Sequence, residues 1–169
     1  MNSSFIRARK RAALAVLALG AVSFSAAAET SSDLQAGIDA FNRGDLPGAM
    51  AFFEKAAEAG SPEAQVRIGF LLDHAEDDEN AVRWYRAAAE QGYPAGTAGL
   101  AQMYAKGEGV PQDTAKAREL FEDAAEQGHA PSIRVLIAAY ENGGLDVDRD
   151  EERLAYWQGK QASLDSRKE

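Results

Sequence analysis

One phrase, recurring at nearly even intervals, constrains this chain more than anything else in it. Ala56-Ala57-Glu58-Ala59-Gly60 returns as Ala88-Ala89-Glu90-Gln91-Gly92 and again as Ala124-Ala125-Glu126-Gln127-Gly128, at spacings of 32 and then 36 residues. Self-similarity with a period of about 20–50 residues marks stacked repeats, each too small to bury its apolar face alone. Upstream of each phrase stands a bulky pair, Phe52-Phe53, Trp84-Tyr85 and Leu120-Phe121, and a further step of 36 lands on Tyr156-Trp157. Downstream of each glycine a second series is in register: Ile68, Leu100 and Leu136, then Gly69, Ala101 and Ile137, then Leu72, Tyr104 and Tyr140. Four units therefore share one frame.

Abundant Ala, Glu, Gln, Leu and Arg, with almost no Val-Ile-Thr alternation, predict helices rather than strands. The paired alanines let neighbouring helices approach closely. The glycine after each pair suits a helix C-terminus in the left-handed conformation. In Gly60-Ser61-Pro62 and Gly92-Tyr93-Pro94 the proline then opens the next helix, where its missing N–H costs nothing. The first unit fits a 34-residue helix-turn-helix frame, with Gly37, Gly44, Leu46, Ala49, Phe53 and Ala56 at positions 8, 15, 17, 20, 24 and 27. Thirteen residues separate positions 11 and 24 in units one and two, against seventeen in units three and four, so the inter-helix loop lengthens. The units run approximately 31–60, 61–92, 93–128 and 129–162, within a repeat domain of 29–162, and residues 163–169 read as a polar tail. Lys160, Gln161 and Leu164 replace the alanines and glycine at the end of unit four, which suits a terminal cap.

The third unit carries Leu100, Ala101, Tyr104, Gly107, Gly109, Val110, Asp113, Ala117, Phe121 and the full Ala124–Gly128 phrase, and in this it resembles a Sel1-like repeat. The resemblance covers roughly residues 33–161, with unit four partial and units one and two carrying the shorter loop. It implies an all-α, right-handed superhelical solenoid of about four antiparallel helix pairs, related to tetratricopeptide arrays, with adaptor or regulatory roles. The structural repeat positions are then Phe53, Gly60, Tyr85, Gly92, Tyr104, Gly107, Gly109, Phe121, Gly128, Tyr140 and Trp157.

Ahead of the repeats, residues 1–28 hold four basic side chains, Arg7, Arg9, Lys10 and Arg11, no acid, and small apolar residues closing on Ala26-Ala27-Ala28. That is the pattern of a secretory signal peptide cleaved after Ala28. The uncharged stretch of 17 residues is shorter than the roughly 20 a membrane span needs, so no integral span is expected in the mature form. Removal of residues 1–28 leaves 14 basic against 27 acidic side chains, a net of −13, which repels phosphate backbones and anionic lipid. A nucleic-acid partner is not expected. The chain has no cysteine, hence no disulfide framework, no thiolate nucleophile and no sulfur-based zinc site, although export would permit disulfides.

Few residues invite chemistry. Asp146-Val147-Asp148-Arg149-Asp150 has the alternating carboxylates of a calcium loop, but Glu151 stands where that loop needs glycine and Trp157 where it needs glutamate. In register with Gly109 to Lys116 it is an inter-helix loop whose Asp residues cap a helix. Asp77-Asp78-Glu79 reads as a solvated helix start. His74 and His129 lack a third ligand, and no Gly-x-Ser-x-Gly or Ser-x-x-Lys motif is present. Gly107-Glu108-Gly109 follows no strand and precedes no Gly-Lys-Ser/Thr, so it is a turn. No catalytic residue, metal or cofactor is assigned.

Surface remains. In helical repeat arrays the first helix of each pair lines the inner face. The corresponding positions are Leu34, Ile38 and Phe41 in unit one, Glu63, Val66, Phe70 and Asp73 in unit two, Ala98, Gln102 and Ala105 in unit three, and Arg134, Ala138 and Glu141 in unit four. Leu34, Ile38, Phe41, Val66, Phe70, Gln102 and Arg134 are the candidate partner-binding residues. An apolar group of this kind, if exposed, suits an amphipathic helix or extended peptide. The expected function is a non-catalytic periplasmic adaptor or regulator of a protein or peptide partner in the cell envelope, acting as a monomer or weak oligomer. The alternatives are a cell-wall or β-lactam-related binding protein or enzyme, whose relatives carry cysteine pairs absent here, and a structural component of an envelope assembly.

Overall fold

Eight helices make up the regular structure among residues 29–167, those the computed structural model describes. They are α1 over residues 29–42, α2 Leu46–Glu58, α3 Pro62–His74, α4 Asp78–Glu90, α5 Pro94–Lys106, α6 Thr114–Glu126, α7 Ala130–Asn142 and α8 Glu151–Asp165. The only other ladder contact among these residues is an isolated bridge between Gly144 and Val147. The signal-peptide expectation falls on residues 1–28, outside the described residues.

The recurring phrase has a structural reason. At its end the N–H of Ser61 donates to the carbonyl of Ala56 at 2.9 Å, Tyr93 to Ala88 at 3.1 Å and His129 to Ala124 at 3.0 Å. The glycine N–H in between donates to Ala57, Ala89 or Ala125. This is a Schellman closure, and it requires the left-handed backbone that Gly60, Gly92 and Gly128 adopt at φ of 93°, 72° and 88°. The phrase thus ends α2, α4 and α6 at the same point and releases the chain into the next helix.

The chain divides into two compact portions, one ending at Ser61 and the other starting at Pro62. In the first, Asp45 accepts from the N–H of Gly48 at 3.0 Å and starts α2. Ala40, Ala49, Phe53, Ala56 and Ala57 are buried. A Cβ on Gly37 would lie 2.5 Å from the Phe53 ring, so α1 meets α2 with the ring filling the space above the glycine.

In the second portion each helix packs on the next from α3 to α8, and α3 also touches α5. Connections this short force neighbours to run antiparallel. One apolar cluster joins Ala81, Val82, Tyr85, Leu100 and Met103, with Val66, Leu72, Tyr104, Val110 and Leu120 packed on it. The other gathers Ala98, Ala101, Phe121, Ala124, Ala125, Ile133, Leu136, Tyr140 and Trp157. Phe53, Tyr85, Phe121 and Trp157, in register by sequence, are all buried. One boundary differs from the sequence reading. Helix α8 continues through Asp165, into the stretch read as a polar tail, because half-buried Leu164 packs on the last cluster.

Candidate functional site

The first helices of the repeats carry the candidate residues, and α3 presents the one large apolar side chain among them that is exposed. Pro62 and Glu63 open α3, and Glu63 receives the Arg67 guanidinium at 2.8 Å along the helix face. One turn on, Phe70 is 42% exposed. Its ring lies 4.1 Å from that of His74, tilted by 42°, while His74 Nδ1 sits 3.0 Å from the Phe70 carbonyl oxygen. Val66, one turn back, is half-buried against the Tyr85 cluster. Phe70 is therefore a large apolar surface anchored on a helix whose opposite face is locked by Ala64, Gln65, Ile68 and Gly69.

Equivalent positions continue along the second portion. Phe70, Gln102 and Ala138, spaced 32 and 36 apart, are all exposed on α3, α5 and α7. The neighbouring row changes character: Val66 is half-buried, Ala98 buried and Arg134 exposed. In the first portion Leu34, Ile38 and Phe41 are half-buried on α1. Of the five large apolar candidates, only Phe70 is exposed.

Acidic groups surround the end of α3. The Asp78 carboxyl is raised above its ordinary 3.8 by burial and by the charges of Glu108, Asp73 and Glu76. Lys106 pairs with Glu108 at 2.8 Å, and that hydrogen bond raises the ammonium. His74 was missed as part of this surface; its i, i+4 spacing from Phe70 is the signal that places it there.

The residues weighed for chemistry have structural employment. Asp150 accepts from the N–H of Glu152 and of Arg153 at 3.0 Å and starts α8; Asp113 does the same for Lys116 at 2.8 Å. Asp77 is bonded instead by the Asn80 side chain at 2.9 Å. His129 Nδ1 is 2.8 Å from Ser132 Oγ, a pairing the sequence did not suggest, but Ser132 is only 1% exposed and its hydroxyl is closed to a substrate. Among the described residues no three His, Cys, Asp or Glu side chains converge as metal ligands, and no helix is long and apolar enough to cross a membrane.

Comparison with known proteins bears on the fold and the family. The profile of the Sel1 repeat matches residues 36–61, 62–93, 94–129 and 137–157. A crystal structure of a Sel1 repeat protein from Oxalobacter formigenes superposes with a TM-score of 0.72 at 25% identity, covering 80% of this chain and 58% of that one. A protective antigen of uropathogenic Escherichia coli strains, displaying an SLR fold, gives a TM-score of 0.67 at 32% identity over 79% of this chain and 30% of that one. Among curated proteins, an exopolysaccharide production negative regulator of Rhizobium leguminosarum bv. viciae is 40% identical over 65 residues. That match takes in 38% of this chain but 24% of the relative, so the chain spans about a quarter of that regulator's length. The fold is the all-α solenoid that the repeats predicted.

Proposed function

Because the chain belongs to the Sel1 repeat family, whose arrays are protein-interaction scaffolds, we propose that it is an exported, non-catalytic binding protein that regulates a cell-envelope process by holding a protein segment. Exposed Phe70 carries the proposal. A large apolar ring 42% exposed, on a helix otherwise fixed by packing, is a surface that soluble proteins use for partners. The Asp73, Glu76, Asp78 and Glu108 carboxylates gathered near the end of α3 select a segment with basic residues flanking an apolar anchor. The basic-then-apolar pattern of residues 1–28 supports export, and the likeness to a negative regulator of exopolysaccharide production supports a regulatory role.

Two measurements test this. Cell fractionation with N-terminal sequencing should find a periplasmic species beginning at Glu29; a cytoplasmic product retaining Met1 would defeat export. A photo-crosslinking residue at position 70 should trap a discrete partner in cells, and Phe70→Glu should abolish its co-purification while helicity is kept. Undiminished co-purification with Phe70→Glu would remove the α3 surface from the proposal.

A further inference from the structure

Three asparagines stand among the described residues, and the backbone N–H that follows each of them sets one apart from the other two. After Asn42, the N–H of Arg43 donates to the carbonyls of Asp39 at 3.2 Å and Ala40 at 3.1 Å; after Asn80, the N–H of Ala81 donates to Asp77 at 3.0 Å. After Asn142 comes Gly143, whose N–H donates no hydrogen bond among the described residues. The register of the repeats sharpens the contrast. A step of 36 back from Gly143 reaches Gly107, which has the same φ of 80° but donates its N–H to the Met103 carbonyl at 2.8 Å and so closes α5. The residue ahead of it there is Lys106 rather than an asparagine.

Asn142 is the last residue of α7, and Asn142, Gly143 and Gly144 are all exposed. The Asn142 amide is held by one long bond, Nδ2 donating to the Ala138 carbonyl at 3.3 Å. A Cβ on Gly143 would meet nothing closer than the Val147 carbonyl oxygen at 4.0 Å, so the space beside the glycine is open. Glycine has no side chain to shield its nitrogen, and the terminal residue of a helix frays at little cost. An unengaged backbone nitrogen directly after an exposed side-chain amide is placed to attack it, because the ring that closes has five members.

We infer that Asn142-Gly143, on residues apart from the Phe70 surface, is a site of spontaneous deamidation that converts the end of α7 into aspartate and isoaspartate. The Gly143 nitrogen attacks Asn142 Cγ. The N–Cγ bond forms, the Cγ–Nδ2 bond breaks, and the proton of the Gly143 N–H leaves with the amide nitrogen as ammonia. Water then opens the imide at either carbonyl, giving aspartate, or isoaspartate where the bond to the main-chain carbonyl is cut. Both products put a carboxylate at the negative end of the α7 dipole, beside Glu141. Isoaspartate also lengthens the main chain by one methylene where α7 meets the loop over residues 143–150. Arg118 holds that loop on α6, its Nη1 donating to the carbonyls of Leu145 at 3.4 Å and Asp146 at 3.2 Å. The modification therefore loosens the connection to α8, and does so with the age of the molecule.

The test is a time course of the full chain at mildly alkaline pH, digested and mapped by mass spectrometry, beside a synthetic peptide spanning residues 138–148. The fragment containing Asn142 should gain one mass unit and separate into aspartate and isoaspartate forms, at a rate in the folded chain close to that in the free peptide. Asn42 and Asn80 should stay intact in the same digests. Isoaspartyl methyltransferase with labelled S-adenosylmethionine should mark the aged chain and not the fresh one. Asn142→Gln, whose imide would need six members, and Gly143→Ala should each stop the gain; the first leaves the left-handed glycine in place, and circular dichroism confirms that both are folded. Hydrogen exchange over α8 should be faster in the aged chain. An intact Asn142 in the folded chain while the free peptide converts, or equal conversion at Asn42 or Asn80, would overturn the proposal. Unchanged exchange over α8 after full conversion would overturn the loosening of the connection.

Discussion

A Cβ on Gly99 would fall 2.4 Å from Cδ1 of Tyr85, so the ring fills the space above that glycine between α4 and α5. The other helix flanking α4 does the same: a Cβ on Gly69 of α3 would fall 2.8 Å from Cε1 of that ring. Tyr85 is buried and has no free direction to move. Replacing a helical Gly by Ala gains about 0.5–1 kcal/mol of helix propensity, while overpacking a fixed core costs about 1–3 kcal/mol. Sterics should win. Gly99→Ala is expected to destabilise by about 1–2 kcal/mol and Gly69→Ala by somewhat less, read as a fall in urea midpoint at constant slope. In a Tyr85→Leu background the Gly99→Ala penalty should shrink or reverse.

Trp157 ends the series that Phe53, Tyr85 and Phe121 begin, and its indole is fully buried with Nε1 lacking a hydrogen-bond partner among the described residues. Two substitutions separate packing from polarity. Trp157→Ala should cost about 3–5 kcal/mol, since it removes the largest side chain of the last cluster. Trp157→Phe loses volume but also removes a buried unpaired donor worth about 1–3 kcal/mol, so it should fall within about 1 kcal/mol of neutral. Thermal unfolding of the two variants decides it; equal destabilisation would mean that the indole N–H is satisfied.

The repeats were legible because their cause is local. The phrase that ends at Gly60, Gly92 and Gly128 encodes a Schellman closure, which needs only a few consecutive residues, and the aromatic 3 residues ahead of each alanine pair follows from helical spacing. What escaped the sequence depends on contacts across repeats. Leu164 looked like part of a solvated tail, yet it packs near Gly128, 36 residues earlier. Nothing in the sequence singles out Arg118, whose guanidinium donates to the carbonyls of Leu145 and Asp146 in the 143–150 loop. Leu34, Ile38, Phe41 and Val66 carry an inner-face pattern that periodicity can identify, but their degree of burial depends on how neighbouring helices lean.

His129 supplies a pH dependence. Burial, and then the Arg134 charge, lower its imidazole from the ordinary 6.5, and its place before the N-terminus of α7 works in the same direction. The unfolded chain takes up a proton near pH 6.5 where the folded one resists it. The contribution is therefore fully present above that pH, and is lost as pH falls from 6.5 toward the depressed folded value. Glu126, lowered from 4.5 by hydrogen bonds from Lys160 and Tyr156, loses its contribution only in a more acidic window. Melting temperature measured from pH 7.5 down to about 3 should decline in the native chain, and His129→Gln should flatten the decline between pH 7 and 5 while leaving the drop below pH 4.5 in place. A parallel decline in the variant would assign the effect elsewhere.

Gly109 and Leu145 make a matched pair, each at a left-handed φ in the equivalent loop, with opposite consequences for substitution. At Gly109 an added Cβ incurs about 1–2 kcal/mol of left-handed strain and lies 2.4 Å from the Asp78 carbonyl oxygen and 2.9 Å from the Glu79 nitrogen. Those are backbone atoms at the start of α4 and cannot rotate away, so the loop must lift and Val110 must leave its cluster. Gly109→Ala should therefore cost at least about 2 kcal/mol. Leu145→Gly relieves about 1–2 kcal/mol of the same strain but exposes part of the cluster on which half-buried Leu145 packs, a loss of about 1–2 kcal/mol. The two effects nearly cancel, and its melting temperature should stay within a few degrees of the native chain. If Leu145→Gly were as damaging as Gly109→Ala, apolar packing would govern both loops. If both were neutral, neither loop would be held against its helix as described.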